Sequence, residues 1–486
     1  MKNIFKLANF KDKVLWLIFG LFIVVTLFGL VNHAPWRDEA QSWLIVRDLR
    51  LSGVINQMPY EGTPPLWHLL LFPLAKLGLP YASEAILHYL LSLFFIFVFL
   101  FFSPLPRKIK FILPFTYYFL FEYTIIARNY NLTACLLFAI AALHLQRFKY
   151  PLVYAPLIFL LAWTNVHSLA ISILLSSYFV YEIIKRRQKS IKYIIAVAVM
   201  SLGIISAALM LTPQVDQFSG LYFFGWRVIA RSLAFALLPF LKDLNISVYL
   251  LCLISLAWVP LIILMLKKRA SKIIFIISYL WLAFIFLFKH SGDLRHFGLI
   301  LIFFVFAWWI DLAGRNKDEN EQSANKQCLK YQVTLYLLVV ILGVNVIYAG
   351  YFYYENYIKN FSGAKEMAQY INDNNLTDQK IAAYPAYCGT ALLPYLPGKK
   401  FYQMESMREG TFMTWDNLFL TGLNIPYPIL KNYLKYYYSL PSHRADSVLI
   451  LSTTPEASDP ELRLIFKNTK PSIKKDEFFY LYRLQL

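Results

Sequence analysis

The chain has 486 residues, of which 58% are hydrophobic and only 15% charged, and its formal net charge at pH 7 is +19. Soluble domains contain about 45–50% apolar and about 25% charged residues, so this composition excludes an ordinary soluble protein. Nucleic-acid binding is not expected either, because the Lys and Arg residues stand in short clusters between apolar blocks and form no basic stripe with interleaved aromatic residues.

Eleven apolar blocks follow one another along the chain and predict about 11 transmembrane helices. They lie near 14–32, 83–102, 109–126, 129–146, 151–165, 168–184, 191–212, 246–266, 272–289, 295–312 and 331–352. The first block is too long for a signal peptide and no small-residue cleavage site follows it, so we interpret it as an uncleaved span. The predicted fold class is therefore a mainly α membrane protein.

The cationic residues predict the orientation of these spans. If the N-terminus is cytoplasmic, every inner loop carries a basic cluster, such as Lys185-Arg186-Arg187 between the sixth and seventh spans. Positive charge concentrates in cytoplasmic loops of membrane proteins. An odd number of spans then places the C-terminal residues outside the cytoplasm. We predict an integral multi-pass protein of the inner (plasma) membrane.

The sequence divides into two parts. Residues 1–352 form the predicted transmembrane domain, whose first outer loop covers 33–82, and residues 353–486 form an outer domain. The outer part has a helical pattern at Ala364–Asn374 and strand-like patterns at Lys380–Ala383, Lys400–Gln403, Ser447–Ser452 and Glu477–Arg483. A small α/β domain is expected there, and its lack of a GxGxxG motif or P-loop gives no indication of nucleotide binding.

The first outer loop contains three carboxylates close to the predicted membrane boundary. Asp38 and Glu39 follow Pro35, where a helix can begin and where its dipole favours acidic residues. Glu61 precedes a turn formed by Gly62 and Pro64-Pro65. The alternative interpretation of Asp38-Glu39 is a solvated helix start that offsets the neighbouring Arg37.

The helix that begins after Pro35 is amphipathic. Its apolar face comprises Trp36, Ala40, Trp43 and Leu44, at helical spacing. Because Trp is enriched at membrane interfaces, we expect this helix to lie flat on the bilayer. Its other face presents Asp38, Gln41 and Ser42.

This loop resembles that of the GT-C superfamily of glycosyltransferases. The shared features are the Asp38-Glu39 pair just after the first span and the Glu-x-x-Pro-Pro segment from Glu61 to Pro65 before a short apolar helix. Weaker matches are 127–130 (Ala-Arg-Asn-Tyr) and Arg295-His296. The similar branch contains the protein O-mannosyltransferases and the ArnT-like aminoarabinose transferases of bacteria, which are glycosyltransferase family 39-like.

Two features of the chain depart from that pattern. ArnT-like chains usually have Asp-Glu-x-Arg-Tyr, whereas Gln41 and Ser42 occupy the last two positions here. No segment resembles the additional β-trefoil domain of the eukaryotic O-mannosyltransferases. Protein mannosylation is therefore not favoured, and the acceptor stays open between a glycan, a lipid and a protein.

The resemblance implies a donor sugar linked to polyprenyl phosphate, membrane lipid around the enzyme, and an extracytoplasmic acceptor, at the outer side of a bacterial inner membrane. By analogy with the family pair, Asp38 and Glu39 are the catalytic residues, and Asp38 is the base that accepts the proton of the acceptor hydroxyl. We expect a water-poor cleft to raise the pKa of Asp38 and so to make it a better base. Glu39 and Glu61 either position the sugar or bind a divalent metal ion, with Glu61 as the candidate ligand; no other cofactor is indicated.

Several polar residues lie at the outer ends of later spans and are candidates for substrate binding. Arg128 and Arg295 suit the donor phosphate because a guanidinium group presents a planar fork of donors. The alternative for both is snorkelling to lipid headgroups. Tyr130 and His296 belong to the matched segments. His167 is either a hydrogen-bonded interface residue or a part of the site.

Two other functions compete with sugar transfer. A transporter or flippase of lipid-linked substrates would be expected to show inverted repeats or paired Gly/Pro-broken spans, and the sequence has neither. A non-catalytic envelope assembly protein would use the outer domain to bind a partner.

Overall fold

The computed structural model describes residues 9–217, 221–315, 327–455 and 459–486; for 327 and 328 it describes the backbone only. The first part of the chain is a bundle of helices, and the second is a sheet domain. The helices of the bundle are α1 (Lys13–Asn32), α2 (Arg37–Asp48), α3 (Leu51–Glu61), α4 (Leu66–Lys76), α5 (Ala82–Phe102), α6 (Arg107–Ile112), α7 (Tyr130–Leu143), α8 (Pro151–Ala162), α9 (Leu169–Lys185), α10 (Ile191–Met210), α11 (Arg227–Leu237), α12 (Val248–Ser255), α13 (Arg269–Phe288), α14 (Leu294–Ala313) and α15 (Gln327–Ile358).

Within the described residues, eight helical segments are long and apolar enough to cross a membrane. They include α12, which continues through a short turn to Met265, and α9 with the preceding turn from Val166. All eight coincide with predicted spans. Two further predicted spans correspond to the shorter apolar helices Tyr130–Gln146 and Pro151–Ala162. The protein is thus mainly helical and an integral membrane protein, as predicted.

The predicted span at 109–126 is not a continuous helix, and that part of the prediction is wrong. Helix α6 ends at Ile112, a 3₁₀ turn covers Leu113–Phe115, and a π-helical turn covers Tyr118–Glu122. Pro114 explains the interruption, because proline lacks the amide hydrogen that a helix needs and clashes with the preceding turn. The π-helical turn leads the chain to the segment around residue 128, at the same end of the bundle as α2.

The apolar face of helix α2 does not rest on lipid, and this part of the expectation is wrong. Its apolar face is covered by protein: Trp36, Trp43 and Leu44 are 5%, 3% and 0% exposed. Ala40 and Leu44 pack into the core of the C-terminal domain. The amphipathic spacing correctly predicted a buried face, but spacing alone does not distinguish a lipid covering from a protein covering.

The C-terminal domain is a small α/β unit, as predicted. Its elements are α16 (Ala364–Asp373), β1 (Ile381–Tyr384), α17 (Tyr387–Leu392), β2 (Phe401–Gln403), β3 (Arg408–Gly410), α18 (Asn417–Gly422), α19 (Tyr427–Ser439), β4 (Ser447–Ser452), β5 (Leu462–Lys467) and β6 (Tyr480–Gln485). The strand order is β3-β2-β1-β4-β6-β5. Strand β1 runs parallel to β2 and β4, with Ala382 opposite Ile450, and the other pairs are antiparallel.

Close packing of α8 against α10 depends on Gly203. A Cβ atom at this position would lie 2.6 Å from Cα of Phe159, so Gly203→Ala should force the two helices apart at a cost of about 1–3 kcal/mol. We expect the thermal unfolding midpoint in detergent to fall by several degrees. Gly343→Ala on α15 is the matched control: nothing lies within 4 Å of its Cβ position, and its midpoint should stay or rise. Equal midpoints for both variants would contradict this packing.

Candidate active site

A cavity of about 720 Å³ lies where the first loop, the ends of several bundle helices and the C-terminal domain meet. Every residue predicted for the site except Glu39 lines this cavity: Asp38, Glu61, Arg128, Tyr130, His167, Arg295 and His296. These residues come from helices that are distant in sequence. The structure therefore brings the candidate residues together, while their roles stay predictions.

Asp38 is the centre of the charged part of the cavity. Its Oδ2 lies 2.5 Å from Nη1 of Arg295, and Nη1 of Arg128 donates to its main-chain oxygen at 2.5 Å. The side chains of Asp38 and Arg295 are 23% and 16% exposed, so this ion pair is partly shielded from water. Both arginines predicted to hold a phosphate thus contact the predicted base.

The expected rise in the pKa of Asp38 is wrong in direction. Burial does raise the pKa of this carboxyl, but the positive charges of Arg295, Arg128, Arg37 and Lys474 together outweigh burial and hold it below its usual range. An opposite charge within a few ångströms favours the ionised carboxylate. Asp38 is consequently a stable anion while it is paired with Arg295.

Glu39 turns away from the cavity although it is the neighbour of Asp38. Successive residues of an α-helix point about 100° apart. Glu39 is 1% exposed. Its Oε1 accepts a hydrogen bond from the amide of Ala127 at 2.8 Å, and its Oε2 accepts one from the amide of Trp36 at 3.1 Å and lies 3.0 Å from Nε2 of His33. The geometry supports an anchoring function for Glu39 and gives it no access to a substrate.

Glu61 occupies a neutral polar part of the cavity. Its Oε1 accepts hydrogen bonds from Nε2 of Gln41 at 2.8 Å and from Nε2 of Gln57 at 3.1 Å. Burial raises the pKa of Glu61 to about 7, although both amides lower it. Among the described residues no group of three His, Cys, Asp or Glu side chains could hold a metal ion. The metal-ligand role of Glu61 stays a prediction.

Three ring-bearing residues predicted for the site form a cluster. The ring centroids of Tyr130 and His296 are 5.3 Å apart, and those of His167 and His296 are 5.2 Å apart. Nδ1 of His296 accepts a hydrogen bond from the amide of Asp293 at 2.9 Å, which fixes the start of α14. His167 is 7% exposed, and its Nδ1 has no partner in the described part of the chain.

Sequence reasoning missed part of the lining. His68, 3% exposed, lines the cavity, and neither of its ring nitrogens has a partner within the described ranges. The signal available was its position just after the Pro-Pro turn. The C-terminal domain adds Tyr387, Thr390, Met413 and Trp415, and no local pattern marked those positions.

The C-terminal domain is attached to the cavity through Gln41. Its Nε2 donates to the main-chain oxygen of Met413 at 2.7 Å, and its Oε1 accepts from the amide of the same residue at 2.9 Å. Gln41 stands where the resembling enzymes usually carry Arg. An amide suits this position here because it satisfies a backbone donor and a backbone acceptor together.

The fold has a counterpart among solved structures, whereas no protein-family model and no curated protein matches the chain. It is similar to the crystal structure of ArnT from Cupriavidus metallidurans bound to undecaprenyl phosphate, with a TM-score of 0.54 and 12% identity over 96% of this chain and 97% of that one. The protein has the ArnT-like GT-C fold. The fold expected from the first loop is thereby confirmed over nearly the whole length of the chain.

The raised pKa of Glu61 predicts a pH-dependent contribution to stability. The folded protein binds this proton up to about pH 7, whereas the unfolded chain releases it near the ordinary value of about 4.5. The native state therefore binds more protons between these values, and stability falls as pH rises through that window. In Glu61→Gln this loss should disappear. The unfolding midpoint of the variant should therefore rise relative to that of the wild type as the pH is raised from 5 to 8.

Infrared spectroscopy can test the same proton directly. The difference spectrum between wild type and Glu61→Gln should contain a protonated carboxyl band that is lost with a midpoint at about pH 7. Glu409→Gln, an identical change at an exposed position, is the control and should leave that band in place. A band already absent at pH 5 would contradict the buried environment of Glu61.

Proposed function

We propose that this protein is a glycosyltransferase that moves a sugar from a polyprenyl-phosphate-linked donor to an extracytoplasmic acceptor. The observation that carries the proposal is the cavity in which Asp38 contacts two guanidinium groups: its carboxylate pairs with Arg295, and its main-chain oxygen accepts a hydrogen bond from Arg128. A donor of this class contains a phosphate next to the reacting carbon, so a base and phosphate-binding groups are needed side by side. The similar fold of ArnT, solved with undecaprenyl phosphate bound, supports a lipid-phosphate donor.

The proposed reaction is a single displacement at the anomeric carbon of the donor sugar. The acceptor hydroxyl oxygen forms the new bond to this carbon, and its proton passes to the carboxylate of Asp38. The bond from the anomeric carbon to the phosphate oxygen breaks, and its electron pair stays on the polyprenyl phosphate. Arg128 and Arg295 stabilise that charge as it develops, so no acid is required for the leaving group.

The ion pair between Asp38 and Arg295 gives the reaction an order of events. While Arg295 is paired with Asp38, the guanidinium groups keep the pKa of this carboxyl low despite its burial, which makes it a weak base. A donor phosphate competes for the Arg295 fork, because charge-assisted and bidentate contacts with phosphate are strong. Once Arg295 has turned to the phosphate, Asp38 loses its nearest cation and its pKa rises. The base is thus activated by donor binding.

Glu61 is proposed to position the donor sugar. It lies in the same cavity, its pKa is raised to about 7 by burial, and it is hydrogen-bonded by neutral amides. A carboxyl group that is partly protonated at neutral pH both donates to and accepts from sugar hydroxyls. His167, Tyr130 and His296 complete the wall on the bundle side.

The cavity is proposed to face away from the cytoplasm of a bacterium, with the N-terminus inside. The basic clusters of the alternate loops support this orientation. We retain residues 1–352 as the catalytic membrane domain and 353–486 as the outer domain, although α15 continues to Ile358. The opening of the cavity then meets both the membrane surface and an extracytoplasmic acceptor.

A transporter or an assembly protein is less consistent with the cavity. Its ionisable lining residues come from one end of the helices, as a one-sided enzyme requires, whereas alternating access places the binding site near the middle of the membrane. An assembly protein has no need for an aspartate whose carboxylate pairs with one arginine and whose main-chain oxygen binds a second.

Asp38→Asn should abolish sugar transfer while the protein still folds. The amide retains the size of the side chain but accepts no proton, and removing a general base lowers kcat by about 10²–10⁴. The measurement is transfer of radiolabelled sugar from polyprenyl-phosphate donors by the purified protein. Asp373→Asn, an exposed carboxylate on α16, is the matched control and should retain full activity.

Transfer by Asp38→Asn at the wild-type rate would overturn the assignment of the base. Absence of transfer by the wild type, with transport of the same lipid-linked sugar across proteoliposomes, would overturn the enzymatic proposal altogether.

Arg128→Gln should weaken binding of the lipid phosphate itself. Loss of a charge-assisted hydrogen bond costs about 1.5–3 kcal/mol, which corresponds to a rise in Kd of about 10–100-fold. Titration of undecaprenyl phosphate, followed by tryptophan fluorescence, can measure this. Arg50→Gln is the control in the same loop, since Arg50 is exposed and does not line the cavity. Equal affinities for the two variants would favour snorkelling as the function of Arg128.

A further inference from the structure

A second cavity, of about 600 Å³, lies where the C-terminal domain meets the end of α2. The bundle contributes Arg47 and Asp48, and the domain contributes the loop 398–400 and the β2–β3 hairpin. Nothing in the proposed reaction uses this cavity so far. Its lining is nevertheless unusual in charge and in hydrogen bonding.

Cations outnumber carboxylates on its walls. Arg47, Lys399, Lys400 and Arg408 line it, against Asp48 and Glu409. Arg47 is already paired with Asp48 at 2.7 Å. Lys399 reaches Asp378 at 3.3 Å, and the side chain of that aspartate is 97% exposed, so the contact is a weak surface pair. The side chain of Lys400 forms no ion pair or hydrogen bond with any described residue.

Two buried polar groups of the hairpin also lack partners. Gln403 is 3% exposed; its Nε2 donates to the main-chain oxygen of Phe412 at 2.9 Å, while its Oε1 has no donor among the described residues. Nη1 of Arg408 lies 2.8 Å from Oδ2 of Asp416, but its buried Nη2 has no acceptor in the same part of the chain. Buried donors and acceptors are normally satisfied, so such groups are typical of places that meet a ligand or water.

One extended segment of the domain separates the two cavities. Met413 and Trp415 line the first cavity, and Thr411, Phe412 and Thr414 line the second. From Phe412 to Trp415 successive side chains therefore face opposite sides, as they do in an extended chain. Gln41 and Gln57 hold the backbone of this segment from the first side, and Gln403 holds it from the second. The two cavities are therefore adjacent, and a single extended segment of the chain forms the wall between them.

We propose that the second cavity binds an anionic group, a phosphate or a carboxylate, carried by a sugar of the acceptor whose reacting hydroxyl enters the first cavity. Lys399, Lys400 and Arg408 attract the anion, and Gln403 with the threonine hydroxyls of the shared wall offers hydrogen bonds to sugar hydroxyls. The acceptor class is thus an acidic or phosphorylated carbohydrate. This inference rests on the proposed function, which supplies the reason for an acceptor.

Lysine footprinting of the full-length protein in nanodiscs tests the site without any transfer assay. Acetylation of Lys399 and Lys400 is followed by mass spectrometry with inorganic phosphate, D-glucuronate or neutral D-glucose, and Lys380, an exposed lysine of the same domain outside both cavities, is the internal reference. At a probe concentration of about twice Kd, an anionic probe should slow both lysines about threefold relative to Lys380. Glucose should not. Protection by phosphate alone identifies a phosphorylated acceptor, and protection by glucuronate alone identifies a carboxylate.

Variants make the test specific. In Lys400→Gln the protection of Lys399 should require a several-fold higher concentration of the anionic probe, and in Lys380→Gln it should be unchanged. Absence of protection, or equal protection by glucose, overturns the proposal. If footprinting fails while the wild type transfers sugar and Asp38→Asn does not, only this inference falls. If footprinting succeeds but no transfer is found, only the proposed function falls.

Discussion

The hydrogen bonds of one buried carboxylate, Glu39, hold the first loop in the position on which the cavity depends. Glu39 binds the amide of Ala127, at the end of the broken third span, and the amide of Trp36, at the start of its own helix. Hydrogen bonds to a charged group contribute about 1.5–3 kcal/mol each. Because Ala127 precedes Arg128, the same anchor sets the distance between Arg128 and Asp38. The two adjacent acidic residues therefore differ in function: Glu39 fixes the loop, and Asp38 faces the cavity.

The C-terminal domain is a structural part of the cavity and not an appendage. Gln41 bonds both backbone groups of Met413, and the guanidinium of Arg37 lies 4.4 Å above the ring of Tyr387 while pairing with Asp476 at 2.6 Å. Apolar packing of α2 into the core of the domain adds to these contacts. Since α2 also presents Asp38, a displacement of the domain would move the predicted base. The position of Asp38 and the position of the C-terminal domain are therefore coupled.

The sequence was sufficient for ten of the eleven predicted spans, because long apolar runs are local signals, and for the fold, because the carboxylates of the first loop form a compact pattern. The sequence did not predict features that depend on contacts between residues far apart along the chain. Asp38 and Arg295 are 257 residues apart, so the direction of the pKa shift of Asp38 depended on which guanidinium groups the fold would bring near it. Strand β3 is not among the predicted strands, since three residues carry too little periodicity to predict a strand. The contribution of Met413 and Trp415 to the cavity likewise had no local signal.

The two carboxylates of the cavity show how position sets chemical character. Both are shielded from water, which alone would raise both pKa values. Asp38 lies among guanidinium groups whose charge more than offsets burial, whereas Glu61 has neutral amides as its nearest donors and its pKa rises to about 7. The cavity consequently has a cationic part around Asp38 and a part around Glu61 that is close to neutral. The proposed donor has an anionic phosphate and a neutral sugar, so it fits these two parts in one orientation: the phosphate beside Arg128 and Arg295, and the sugar towards Glu61. That orientation of the proposed donor would place its anomeric carbon, between the phosphate and the sugar ring, in the part of the cavity that also contains Asp38, the proposed base.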